Sequence, residues 1–311
     1  MKYYKIINPD GHNGIEYHEG YNEDPLPFNP SGDCEPGGIY FAKEDILAFL
    51  NWGTQLYEVD PVGPVYENPG EPKKYKAHAV NLKYIGKVID NIEFLIKEGA
   101  NIHAGNEAAL FNAIKQNNLE LVDLLLKHGA DVNCRCGIPL ILAVEQDNLD
   151  MVKLLLEHGA DINCIGGKPL RIAIEQNNLR LINLLLKYGA DVDECGCWPL
   201  GVAIRKNNLK LIKLLIKHKA NVNMLNGWPL LYAIWNNNLK LVKLLVNHGA
   251  DVHADRGELL RMAIRKGYLR IVKYLIKQGA LAHINRVKLV AVAIESGNAE
   301  MINLIKKSIG K

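Results

Sequence analysis

The feature that most narrows what this chain can fold into is a period of thirty residues, running seven times from residue 101 to Gly310. Ala113, Ala143, Ala173, Ala203, Ala233, Ala263 and Ala293 share one position of that period, and the next is always Ile or Val, from Ile114 to Ile294. Position ten is Leu in each unit until Val290. A second apolar set, such as Leu149, Met151, Val152, Leu154, Leu155 and Leu156, returns at helical spacing. A period of this size means a stacked array, in which no unit can bury its apolar face alone.

Each unit reads as two short antiparallel helices. In the second, Pro139 suits a first helical turn because its φ is already fixed there, and the first helix runs to about Gln146. A second helix over 149–157 ends at Gly159, where a positive φ lets the chain reverse. Between the helices stand Asn117, Asp147, Asn177, Asn207, Asn237, Gly267 and Gly297. All are residue types that tolerate a left-handed backbone, so a tight turn is predicted at each.

Residues 1–85 differ in kind and are expected to form a small acidic α+β domain. Residues 1–80 hold six Lys and thirteen Asp or Glu, whereas 81–311 hold 31 Lys or Arg and 21 Asp or Glu. The stretches YYKIIN, GIYFA, QLYEVD, PVYEN and AVNLKYIGKV read as strands between Gly and Pro turns, and KEDILAFLNW as one short helix. The array then occupies 86–311: a half unit at 86–100, followed by 101–130, 131–160, 161–190, 191–220, 221–250, 251–280 and 281–310. No apolar run is long enough for a membrane span or a secretory signal, so an intracellular, cytoplasmic protein is expected. The six cysteines fit free thiols in a reducing compartment.

The stretch PLILAVEQDNLDMVKLLLEHGADIN resembles an ankyrin repeat, whose pattern is TPLHxAA…G…IVxxLLxxGADVN, and the resemblance recurs in register over 101–310 and in VIDNIEFLIKEGANIH. It implies a mainly α solenoid that binds a protein partner through a concave face of hairpin fingers and first helices, without catalysis or cofactor. Three departures stand out. The usual unit has about 33 residues, so these fingers are truncated. The family threonine before the proline is Ile138, Lys168, Trp198 or Trp228, and a lost helix cap costs about 1 kcal/mol. Lys219 replaces the helix-ending glycine, a strained position that should weaken the middle of the array. The N-terminal stretch HNGIEYHEGYNEDPLPFNPSGDCEPGGIYF, followed by thirty-residue units, resembles ankyrin-repeat proteins of giant, mimivirus-type DNA viruses of amoebae. That resemblance implies a viral protein acting on host proteins.

Internal comparison separates core from surface, since positions 4–8, 11, 12, 15 and 16 vary freely between units. Position 15 carries Lys115, Glu145, Glu175, Arg205, Trp235, Arg265 and Glu295; position 11 carries Phe111, Ile141, Arg171, Gly201, Leu231, Arg261 and Ala291. The resemblance places position 15 on the binding side. Tyr232 lies one helical turn before Trp235, while Trp198 and Trp228 precede the helix-starting prolines. Exposed Trp and Tyr flanked by Arg has the composition of an interface hot spot. The expected contact set is therefore Trp198, Trp228, Tyr232, Trp235, Arg205, Arg261 and Arg265, with Glu145 and Glu175 as an acidic counterpart. Lys206 and Lys266 add positive charge, which would steer acidic partner residues. The plainer alternative is that Trp198 and Trp228 pack on each other across adjacent units, filling space left by the short fingers.

Other groupings read as structural. Cys134, Cys136, Cys164, Cys195 and Cys197 fall in the finger tips of three consecutive units, too far apart and at the wrong spacing for zinc, and Cys34 is remote. His128, His158, His218 and His248 share one place near a helix end, where the ring favours the helix dipole. No basic stripe with interleaved aromatics suggests nucleic acid, and a monomer is expected. Lys306 takes an apolar position, as a solvent-facing end cap should. In its order of elements the N-terminal region resembles ADP-ribosyltransferase-like folds, with Tyr40 and Glu58 at two of their three positions. Its first strand has no His or Arg, and His12 and His18 come later. A purely structural scaffold is the remaining alternative.

Overall fold

The computed structural model describes residues 2–8, 16–26, 28–29, 38–282 and 284–310, with only the backbone of 194–197. His12 and Cys34, and the side chains of Cys195 and Cys197, lie outside the described residues. The chain forms two compact units, 1–165 and 166–311.

The first unit begins with seven strands: β1 (Tyr3–Ile7), β2 (Gly20–Glu23), β3 (Ile39–Phe41), β4 (Gln55–Val62), β5 (Tyr66–Glu67), β6 (Tyr75–Ala77) and β7 (Ala79–Lys87). The stretches YYKIIN and QLYEVD, read as strands, coincide with β1 and β4. The short β2 and β6 carry too few apolar residues to announce themselves. An antiparallel sheet of order β1-β4-β7-β2 faces a second of order β3-β6-β5. Their shared core holds Ile7, Ile39, Phe41, Tyr57, Val59, Tyr75, Ala77, Val80 and Leu82. A 3-10 helix over Glu44–Trp52 buries Ile46 through Leu50.

That 3-10 helix solves a problem set by the half unit. Residues 86–100 supply only a second helix, α1 (Ile92–Lys97). The 3-10 helix stands where a first helix would be, packed on α2 (Ala104–Lys115). The Asn101 amide donates to the Glu44 carbonyl at 2.6 Å and the Asn112 side chain to the Ala48 carbonyl at 3.4 Å. Helices α3 (Leu119–Lys127), α4 (Cys134–Glu145) and α5 (Leu149–Glu157) complete this unit.

The truncated fingers are not hairpins. Among the described residues, five repeats make this turn with three consecutive left-handed residues, such as Gly105, Asn106 and Glu107 at φ 63°, 55° and 65°, and Arg135, Cys136 and Gly137 at 50°, 60° and 84°. At Gly137 the third must be small as well as left-handed, because a Cβ there would meet the Cys164 Cβ at 2.6 Å, whereas the first repeat accommodates the buried Glu107 at the same place. Cys134 and Cys164 are buried beneath the turns rather than displayed on tips, and among the described cysteine side chains only Cys136 is exposed. Burial pushes the Cys134 thiol up to about 12.

The second unit repeats this plan in α6 (Cys164–Glu175), α7 (Leu179–Lys187), α8 (Glu194–Arg205), α9 (Leu209–Lys217), α10 (Met224–Trp235) and α11 (Leu239–Asn247), then α12 (Glu258–Arg265), α13 (Leu269–Lys277), α14 (Arg286–Glu295) and α15 (Ala299–Ile309). In α9 the pattern LKLIKLLIK buries Leu211, Ile212, Leu215 and Ile216, each contributing roughly 1.5–3 kcal/mol by leaving water. Every predicted inter-helix turn is left-handed, with φ from 50° at Asn207 to 72° at Gly267. The following Asn caps the second helix, as Asn208 Oδ1 accepts from Leu211 N at 3.1 Å. The amide nitrogen of the same Asn reaches back to the preceding turn: Asn208 to Asn177 at 3.0 Å, Asn238 to Asn207 at 3.1 Å, and in the first unit Asn148 to Asn117. One residue type thus closes a helix and ties two repeats. Lys306 is exposed, as is Ile294 at 56%.

Candidate protein-docking face

Trp235 ends α10, directly after the fully buried Ala233 and Ile234. The same position is exposed in all seven units, so helical register alone carries this indole away from the core. It is 59% exposed. The Lys266 ammonium lies 5.5 Å from the ring centroid, a cation–π contact, and the Tyr268 hydroxyl donates to the Trp235 carbonyl at 3.4 Å.

Trp228 has a different fate. It is half-buried, with its ring 5.1 Å from that of Tyr232 at an interplanar angle of 35°. It rests over Gly201 of the preceding repeat, where Trp228 Cζ3 lies 3.9 Å from the place a Cβ would take. The bare Gly at a position that elsewhere holds Phe, Ile, Leu, Arg or Ala is the sequence signal for this seat. Trp198 is also half-buried, and no ring contact joins it to Trp228 among the described residues. Beside Tyr232, a groove of about 360 Å³ opens between Arg205, Asn207 and Asn236.

The cations divide into two kinds. Glu258 holds two of them, with Arg261 Nε at 2.8 Å and Arg265 Nη1 at 2.5 Å. Burial works against charge on Glu258, but hydrogen bonds from both arginines outweigh it and keep the carboxyl below its usual range. Arg205 and Lys206 are exposed and make no ion pair among the described residues. Position 11 is a packing position in the first unit, since Phe111 and Ile141 are buried; the Arg135 guanidinium covers the Phe111 ring at 4.5 Å. Glu145 and Glu175 are both exposed, the first in unit 1–165 and the second in unit 166–311.

The remaining groups are placed as follows. His158 Nε2 lies 3.0 Å from Asp123 Oδ1 of the preceding repeat, and His248 Nδ1 donates to its own Leu244 carbonyl at 2.8 Å. In the sheet region, Glu58 pairs with Lys2 at 2.7 Å, and the Tyr40 carbonyl accepts from the buried Lys5 at 2.7 Å. Among the described residues no three His, Cys, Asp or Glu converge on a common point, and no helix is long and apolar enough to cross a membrane.

A mainly helical array of thirty-residue helix pairs, with conserved register inside and a variable polar and aromatic surface outside, defines a repeat protein built for binding. The chain belongs to the ankyrin-repeat family: the family model for ankyrin repeats matches residues 78–166, 110–194 and 170–256. Ankyrin repeats are protein–protein interaction modules. Over 132 residues the chain is 35% identical to an uncharacterized protein of Acanthamoeba polyphaga mimivirus, covering 39% of this chain and 94% of that one. Over 45 residues it is 49% identical to a protein of the same virus named as an ankyrin repeat protein, covering 14% of this chain and 15% of that one. Among solved structures it is similar to the ankyrin repeat domain of Bcl-3, of the IkappaB protein family, with a TM-score of 0.48, 24% identity, and coverage of 64% of this chain and 97% of that chain.

Proposed function

We propose that the protein is a non-enzymatic binding module that captures a partner protein on the face built by α8, α10 and α12, and that the partner presents an acidic segment with an apolar anchor. The observation that carries this reading is Trp235, which is 59% exposed beside Lys266. A folded array gains nothing from an indole in water, whereas an interface gains several kcal/mol from one. Arg205, Lys206 and Lys266 supply the positive surround that an acidic segment needs. The groove beside Tyr232 adds a recess for a side chain. Because the helices order these groups in advance, little conformational entropy is lost on association.

The mimivirus relatives support a role on proteins of an amoebal host. Quantitative capture from amoeba lysate with the full chain tests the proposal, followed by affinity measurement with the protein recovered. Trp235→Ala should weaken binding by at least about ten-fold without lowering the unfolding midpoint. A pure scaffold would bind with unchanged affinity after that substitution, and this result would overturn the assignment of the face.

A further inference from the structure

In the first unit, the sheet region meets the first repeat between Val88 and Leu121. A cavity of about 340 Å³ opens there, walled by Leu50, Val88, Ile89 and Leu121 and rimmed by Lys87 and Asn118. Its polar groups follow from the asparagine ladder. At Asn148, Asn208 and Asn238 the capping asparagine passes its amide nitrogen to a side-chain oxygen 31 residues upstream, whereas from the capping Asn298 the same offset lands on Gly267, which has no side chain. Asn118 is the first rung. Its Oδ1 accepts from Leu121 N at 3.0 Å like the others, but the same offset lands on Lys87, the end of β7, whose side chain offers no acceptor and whose carbonyl accepts from Asn91. The Asn118 amide nitrogen has no partner among the described residues, and neither does the Lys87 ammonium.

We infer that this cavity binds a carboxylate attached to a small apolar group. An amide donor and an ammonium beside the same cavity match two carboxylate oxygens, replacing the oxygen that the missing rung would have supplied. No Asp or Glu lines the cavity to oppose an anion. Leu50, Val88 and Leu121 are buried side chains of rigid elements, so the apolar wall is preformed, and the volume falls at the small end of the roughly 300–1,000 Å³ of ligand pockets. A free small acid and the C-terminus of a peptide chain both carry such a carboxylate, and the two are separable.

The test uses the full chain with labelled methyl and side-chain amide groups, followed by NMR. Benzoate is the free-acid probe and benzyl alcohol its neutral control. A tetrapeptide ending in Phe, with a free or an amidated C-terminus, forms the second pair. Benzoate or the free-acid peptide should shift the Val88 and Leu121 methyls and the Asn118 amide along a saturating curve, with Kd in about the millimolar range for so small a probe. Asn118→Asp keeps the Oδ1 cap while replacing the donor by an anion, and Lys87→Met removes the ammonium; each should weaken binding by about ten-fold. Tighter binding of the free-acid peptide assigns the site to a chain terminus, and binding of benzoate alone to a small acid. The inference is overturned if neither acid saturates, if benzyl alcohol matches benzoate, or if both variants bind like the parent.

Discussion

Lys219 offers a test in which the array supplies its own control. At the end of the second helix, five repeats carry Gly129, Gly159, Gly189, Gly249 and Gly279, with φ between 84° and 97°. Lys219 holds the same place at φ 69°. A side chain in the left-handed region costs roughly 1–2 kcal/mol, because Cβ crowds the following carbonyl. A Cβ built on any of the five glycines meets nothing within 4 Å, so packing at this position has little to return. The backbone bonds are kept without the side chain: Lys219 N reaches the Ile216 carbonyl at 2.9 Å, and Gly249 N reaches that of Val246 at 3.1 Å. Glycine also loosens the unfolded chain, which takes back about 0.4–1 kcal/mol. Lys219→Gly should therefore stabilise the second unit by about 0.5–1 kcal/mol, and Gly249→Lys should destabilise it by a similar amount. Urea denaturation followed by helical circular dichroism measures the midpoints, and hydrogen exchange at Ala220, whose amide bonds the Leu215 carbonyl at 3.0 Å, reports the local effect. A Lys219→Gly protein no more stable than the parent would refute the strain argument and give the lysine side chain a positive role.

Other substitutions probe neighbouring claims. Gly227→Ala places a Cβ 2.6 Å from that of Ala254 at φ 85°; it should cost about 2 kcal/mol or more, since crowding adds to strain, whereas Gly249→Ala should cost only the strain, and equal unfolding midpoints would contradict the close approach. Lys5 is buried between the rings of Tyr17 and Trp52, at 4.7 and 5.3 Å from their centroids, and burial lowers its ammonium from 10.5 to about 7. The unfolded chain then holds a proton that the folded chain has released, so this residue's contribution to stability rises with pH from about 7 to about 10.5. Lys5→Met should abolish that rise and raise stability at pH 7 by a few kcal/mol at most, on the order of 1.4 kcal/mol per pH unit of the window; parallel pH–stability curves for parent and variant would show that Lys5 stays charged.

Several site features lay beyond the sequence for one recurring reason: equivalent positions share a backbone but not neighbours. The seven left-handed inter-helix turns were legible because Asn, Asp and Gly are selected locally, by the φ they must adopt. The buried Ala-Ile pairs were legible because the helical period fixes which side of each helix they occupy. Trp228 and Trp235 are the same residue type seven positions apart on one helix, yet one sits over Gly201 and the other projects into water. Arg261 and Arg265 read as free cations until Glu258 is seen to hold both. Nothing in the spacing of Cys164 shows that it fills the room left by Gly137.

The order of amino acids by itself determined that this is a stacked array, where its second helices run, and which inter-helix turns are left-handed, since all of these follow from short-range sterics and a repeating apolar stripe. Only the tertiary structure decided how a half unit is completed by a 3-10 helix from the sheet region, and which capping asparagine lines a cavity. It likewise decided which cations are already paired. Such outcomes depend on groups brought together from distant parts of the chain, and a local pattern carries no information about the neighbour that is missing.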